Sequence, residues 1–129
     1  MFSENMCIDL SQGKIENGTP IIIWENHGSN NQKWVYTEDG IIVSALNNEM
    51  CLDIQGGIIQ NGTKIILWKK HGGDNQKWTI TQDGFIVNRL NTNMCLDIQG
   101  GNINNGTPII LWERHGGDNQ KWKMQRQSS

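Results

Sequence analysis

A pattern of residues returns every 44 positions along this chain, and that repeat constrains the fold before any local feature is weighed. Gln32-Lys33-Trp34, Gln76-Lys77-Trp78 and Gln120-Lys121-Trp122 lie one period apart. So do Cys7, Cys51 and Cys95, and His27, His71 and His115. From Met50 to Trp78, 24 of 29 positions are identical in the third repeat, and Met6 to Trp34 matches the third repeat at 19 of 29. Three repeats, at about 1–44, 45–88 and 89–129, fill the 129 residues as one domain. The period also suits a propeller blade of roughly 40–45 residues, but a propeller needs about four blades or more. A closed three-fold domain fits the count.

Within a repeat the signals are those of short strands. Met50, Leu52 and Ile54 alternate with Cys51, Asp53 and Gln55, the period of a strand with one buried face. Gly56-Gly57 breaks the run, and Asn61-Gly62 predicts a hairpin turn. Further strands are expected over 64–68, 76–81 and 85–90, with a turn at Asp83-Gly84. The composition agrees: the only alanine is Ala45, whereas isoleucine, asparagine and glycine are abundant, which favours strands and turns over helix. Three units of four short strands give an all-β fold, the β-trefoil. The chain is three residues short of three full periods, so closure is expected to join the N- and C-terminal segments in one strand position; a start cut from a longer chain is the competing reading.

Charge narrows the function. Charged residues make up 19% and the formal net charge is -2, which argues against a polybasic nucleic-acid or membrane-surface binder. No run approaches the roughly 18 apolar residues of a membrane span. No signal-peptide pattern stands at Met1 to Asn5, which suggests a cytoplasmic or non-classically secreted protein. One cysteine per unit, three in all, points to buried reduced thiols.

Each unit carries two tryptophans with different surroundings. Trp34, Trp78 and Trp122 are expected in the core. If Ile65 and Leu67 point inward, Trp68 points outward, and Trp24 and Trp112 with it. Asp53 lies on the strand face opposite Leu52 and Ile54, and Asp9 and Asp97 are its equivalents. Each aspartate is followed by the outward tryptophan and then by an Asn-Gln pair: Asn31-Gln32, Asn75-Gln76 and Asn119-Gln120. A sugar asks for this combination. Its hydroxyls need polar partners that donate and accept, and its C–H face needs an aromatic ring.

The three Gln-x-Trp triplets, with Cys-Leu-Asp-Ile-Gln at 51–55 and 95–99 and Cys7-Ile8-Asp9-Leu10 in the first unit, resemble the ricin B-type (R-type) lectin domain over essentially the whole chain. The resemblance implies a β-trefoil that binds sugars, most often galactose or N-acetylgalactosamine, without metal, cofactor or catalysis. It implies that Asp9, Asp53 and Asp97 accept sugar hydroxyls and that Trp24, Trp68 and Trp112 stack on the ring. Asn31, Asn75 and Asn119 would contact a ring hydroxyl. Gln32, Gln76 and Gln120 would steady the aspartates, and His27, His71 and His115 stand where some members place a polar donor. One departure bears on fine specificity: Ile22, Ile66 and Ile110 occupy a position where some family sites have glutamine. The first unit departs most, with Ser29-Asn30 for Gly-Asp and Leu10-Ser11 for Ile-Gln.

The expected partners are therefore galactose-type glycans on glycoproteins or glycolipids, with no nucleic acid and no membrane insertion; mannose-type specificity and a homodimer stay open. Two other readings compete. One is a carbohydrate-binding module of a larger enzyme or toxin, the other a protein-binding structural trefoil. No unit holds a tight His/Cys cluster for a metal. A glycosidase needs two carboxylates across one bond, and Lys69 breaks the acidic pattern set by Glu25 and Glu113, so no enzyme is expected. The Asn-Gly-Thr triplets at 17–19, 61–63 and 105–107 match a glycosylation sequon but also read as hairpin turns. The three histidines suggest sugar binding that varies near neutral pH.

Overall fold

The alternation of Met50, Leu52 and Ile54 sends three apolar side chains to one side of a strand, and those three form part of a single central core. The computed structural model describes residues 6–122. Among the described residues ten strands run in chain order: β1 (Met6–Leu10), β2 (Ile21–Glu25), β3 (Trp34–Tyr36), β4 (Ile42–Ser44), β5 (Asn47–Ile54), β6 (Ile65–Lys69), β7 (Trp78–Ile80), β8 (Ile86–Asn88), β9 (Asn91–Ile98) and β10 (Ile109–Glu113). Turns, irregular loops and short 3₁₀ segments join them, and no helix among the described residues could cross a membrane.

Every pairing is antiparallel. β3-β4-β5-β6 and β7-β8-β9-β10 form two meanders, each crossing a repeat boundary, and β1-β2 form the remaining pair. The fold is the three-fold β-trefoil. The core takes the same positions from each unit: Leu10, Ile54 and Ile98; Ile21, Ile65 and Ile109; Ile23, Leu67 and Leu111. Small satellite clusters, Ile41-Val43-Cys51 and Phe85-Val87-Cys95, fill the space outside the second and third units.

The strand beginning at Gln76 is shorter than the pattern suggests. Asp74–Gln76 is a 3₁₀ turn, and the strand starts at Trp78. Trp78 is fully buried, while Trp34 and Trp122 are half-buried against the same core. All three indole N–H groups donate to carbonyls of the preceding long strand, at Ile8, Leu52 and Leu96. The expected joining of the two chain ends lies outside the described residues. All three cysteines are free thiols, with Cys51 and Cys95 buried and Cys7 half-buried. Burial first, and then the neighbouring aspartate, pushes the Cys51 and Cys95 thiols up to about 12, so they are protonated at neutral pH.

The hairpin reading of Asn61-Gly62 needs correction. The turn is present, but β5 and β6 are joined through all of residues 55–64. The Asn-Gly-Thr segment instead reaches the next unit. Gly62 N–H donates to Leu111 O at 2.8 Å, Leu111 N–H donates to Thr63 O at 2.8 Å, and Glu113 N–H donates to Asn61 Oδ1 at 2.7 Å. The same bonds tie Asn17-Gly18-Thr19 to β6 and Asn105-Gly106-Thr107 to β2. Each unit therefore clasps the next, and the third clasps the first. Positive φ at Gly18, Gly62 and Gly106 makes glycine the fitting residue at each clasp.

Candidate functional site

The strand register sets the site. On β5, Asp53 points away from the core, and on β6 its cross-strand partner is Ile66. Trp68, two residues along and opposite Cys51, shares that outer face. The chain then turns back through Asp74–Gln76, which delivers Asn75 and Gln76 to the aspartate. Gln76 is wholly buried and ties three segments together. Its Nε2 donates to Asp53 Oδ2 at 2.7 Å and to Lys69 O at 3.0 Å, and its Oε1 accepts from His71 N–H at 2.9 Å. Asn75 Nδ2 donates to Asp53 Oδ1 at 3.3 Å.

The first and third units repeat the arrangement. Gln32 and Gln120 donate to Asp9 and Asp97 at 2.9 and 2.8 Å, and Asn31 and Asn119 both do so at 3.2 Å. All fifteen residues singled out in the sequence thus fall into three constellations of five. The tryptophans stand outward, at 37%, 39% and 37% exposure for Trp24, Trp68 and Trp112. The aspartates beneath them are nearly closed off, at 3%, 4% and 3%.

Each histidine is held in a defined way. Nδ1 of His71 and of His115 accepts a backbone N–H two residues ahead at 3.0 Å, so the proton of the neutral ring sits on Nε2. That Nε2 lies 3.7 Å from the aspartate Oδ2 in every unit. The turn is tight here: a Cβ on Gly73 would meet His71 Cε1 at 2.7 Å, so a larger residue requires the imidazole to shift. Ser29 occupies this place in the first unit, and there the bond to His27 Nδ1 lengthens to 3.3 Å.

Burial holds the Asp9, Asp53 and Asp97 carboxyls above their ordinary value of 3.8, against the opposing pull of the glutamine, histidine and asparagine beside each one. Such a carboxylate keeps acceptor capacity that its two amide donors do not fill, and it faces an exposed indole. The arrangement suits hydroxyl groups on a molecule with one apolar face. Among the described residues no group of three His, Cys, Asp or Glu side chains could hold a metal ion.

The profile of the ricin-type beta-trefoil lectin domain matches residues 2–125. The chain belongs to this family. No curated protein matches it in sequence. Among solved structures, the ricin-type chain is similar to the designed 3-fold symmetric protein ThreeFoil (28% identity, TM-score 0.80, covering 90% of this chain and 87% of that one). It is also similar to the earthworm R-type lectin C-half, solved in complex with GalNAc (24%, 0.73, 88% and 85%). A third likeness is to 1,3Gal43A, an exo-beta-1,3-galactanase from Clostridium thermocellum (28%, 0.78, 92% and 29%).

The lectin fold adds residues that sequence reasoning missed. Asn105 of the third unit accepts the N–H of Glu25, next to Trp24, and Gly106 lies against the Trp24 ring. Asn17 does the same beside Trp68, and Asn61 beside Trp112. Each tryptophan-bearing strand is therefore held at its end by a neighbouring unit. The asparagines were visible in the sequence as turn residues, but a bond partner 52 or 80 positions away leaves no local trace.

Proposed function

We propose that the protein is a multivalent lectin with three related sugar sites, specific for galactose or N-acetylgalactosamine and without catalytic activity of its own. The observation that carries this reading is the triple recurrence of a buried aspartate, two amide donors to it, and an exposed tryptophan on the same face. The aspartate accepts sugar hydroxyls, the asparagine Oδ1 and histidine Nε2–H serve further hydroxyls, and the indole takes the apolar face of the ring. Hydrogen bonds to a charged group contribute about 1.5–3 kcal/mol each, enough for weak single-site binding. The GalNAc complex of the similar earthworm lectin supports the choice of sugar. The similar region fills only 29% of the galactanase chain, which favours a second reading in which this domain serves as the carbohydrate-binding module of a larger enzyme.

The test is a calorimetric titration with galactose, N-acetylgalactosamine and mannose. Galactose-type binding at about three per chain, lost in a folded Asp9/Asp53/Asp97 triple alanine variant, is the expected result. Binding of mannose alone would overturn the specificity. Silence toward a broad glycan array would leave the polar constellation a purely structural feature.

A further inference from the structure

Where the three units meet, one position breaks the three-fold symmetry in charge. Pro20, Lys64 and Pro108 are equivalents, and each immediately precedes the strand that carries the outward tryptophan. The backbone does not require lysine here. Pro20 O, Lys64 O and Pro108 O accept the same bond, from Ser11, Gln55 and Gln99 N–H, at 3.2, 3.1 and 3.1 Å. Lys64 is exposed, and among the described residues it makes no ion pair. It lines a cleft of about 620 Å³ that runs from Asp9, Trp24, His27 and Asn31 past Pro108 to the junction of the units. That volume is within the roughly 300–1,000 Å³ of small-molecule sites, and the cleft continues beyond the constellation that holds one sugar.

Resting on the lectin reading above, we propose that Lys64 makes this cleft an extended site for an acidic oligosaccharide. The terminal sugar seats on Asp9 and Trp24, and the residue behind it presents an anionic group, a carboxylate or a sulfate, to the Lys64 ammonium. A mobile point charge suits an anion whose position varies with the linkage. The charged or titratable side chains lining the cleft are Asp9, His27 and Lys64, so the lysine alone draws an anion away from Asp9. The same lysine stands across from Ile110, at the edge of the third unit's site, and the experiment separates the two placements.

The probes are N-acetyllactosamine, the same disaccharide sulfated on its N-acetylglucosamine, and galactose linked to glucuronic acid. One site per chain should prefer the acidic probes over the neutral one by roughly two- to fivefold, the scale of an exposed charge pair, and added salt should shrink the ratio. The sulfated and uronic acid arms show which anion fits. Lys64→Pro, which copies the other two units, and Lys64→Met, which keeps the stem, should both bring the ratio to about one, with folding checked by denaturant unfolding. Asp9→Ala should abolish the preference and Asp97→Ala should keep it. A wild-type ratio of one, or a ratio that survives both Lys64 variants, overturns the proposal. Loss with Asp97→Ala instead of Asp9→Ala overturns its placement in the cleft. Failure of all three probes to bind a folded protein overturns the galactose-type reading on which the proposal rests.

Discussion

Burying the Asp53 carboxyl comes at some cost to folding. Its carboxyl is raised above 3.8 chiefly by burial, so its contribution to stability is fully present below the unfolded value and is lost as pH rises through the folded value. Two outcomes follow. The stability of Asp53→Asn relative to wild type should improve as pH rises from about 3 to 7, read by denaturant unfolding at each pH. Sugar affinity should fall as acid protonates the three aspartates, with a midpoint above the 3.8 of an ordinary aspartate. A binding curve flat down to that value would contradict the assignment. A second residue carries a backbone cost. Gln12 sits at φ 57, where its equivalents are Gly56 and Gly100. Gln12→Gly should stabilise the protein by about 0.5–1 kcal/mol, seen as a higher denaturant midpoint at unchanged slope.

At the scale of elements, what could be read in advance was whatever depends on neighbours in the chain. Asp53 and Trp68 fall on the predicted outer face because a strand alternates with a fixed period of two. The 3₁₀ turn at Asp74–Gln76 escaped the reading because Gln76 and Trp78 keep strand spacing, although the bonds that bend the chain run from Gln76 to Asp53, Lys69 and His71. The clasps escaped it because Asn-Gly announces a turn and says nothing of what the turn will grip. They also give a prediction that no single repeat would suggest. Asn61→Ala removes the acceptor for Glu113 N–H, at about 0.5–1.5 kcal/mol of stability. The affinity it weakens should belong to the third unit, beside Trp112, and not to the second unit in which Asn61 lies. Titration of Asn61→Ala in backgrounds with one intact aspartate would decide this.

For the whole molecule, three sites on one rigid body set how it would engage a surface. Avidity can exceed single-site affinity by about 10²–10⁴ where spacing allows. Variants that keep one aspartate should bind a monovalent sugar with nearly unchanged site affinity yet fail to cross-link a multivalent glycoprotein, whereas variants that keep two should still precipitate it. Turbidity with a branched galactose-terminated glycoprotein reads this directly.

The clasp also bears on how such a molecule can be assembled. Every unit presents one edge that grips and one that is gripped, and both are encoded within the same stretch of about 44 residues. Contacts of this head-to-tail kind generate a ring when the rotation between neighbours closes. Here it closes at three, and the peptide links between units add proximity without adding any part of the gripping surface. Covalent continuity is therefore dispensable in principle. Three separate chains of one repeat each would meet the same complementary edges and form a cyclic trimer, with every tryptophan-bearing strand clasped by a neighbouring subunit.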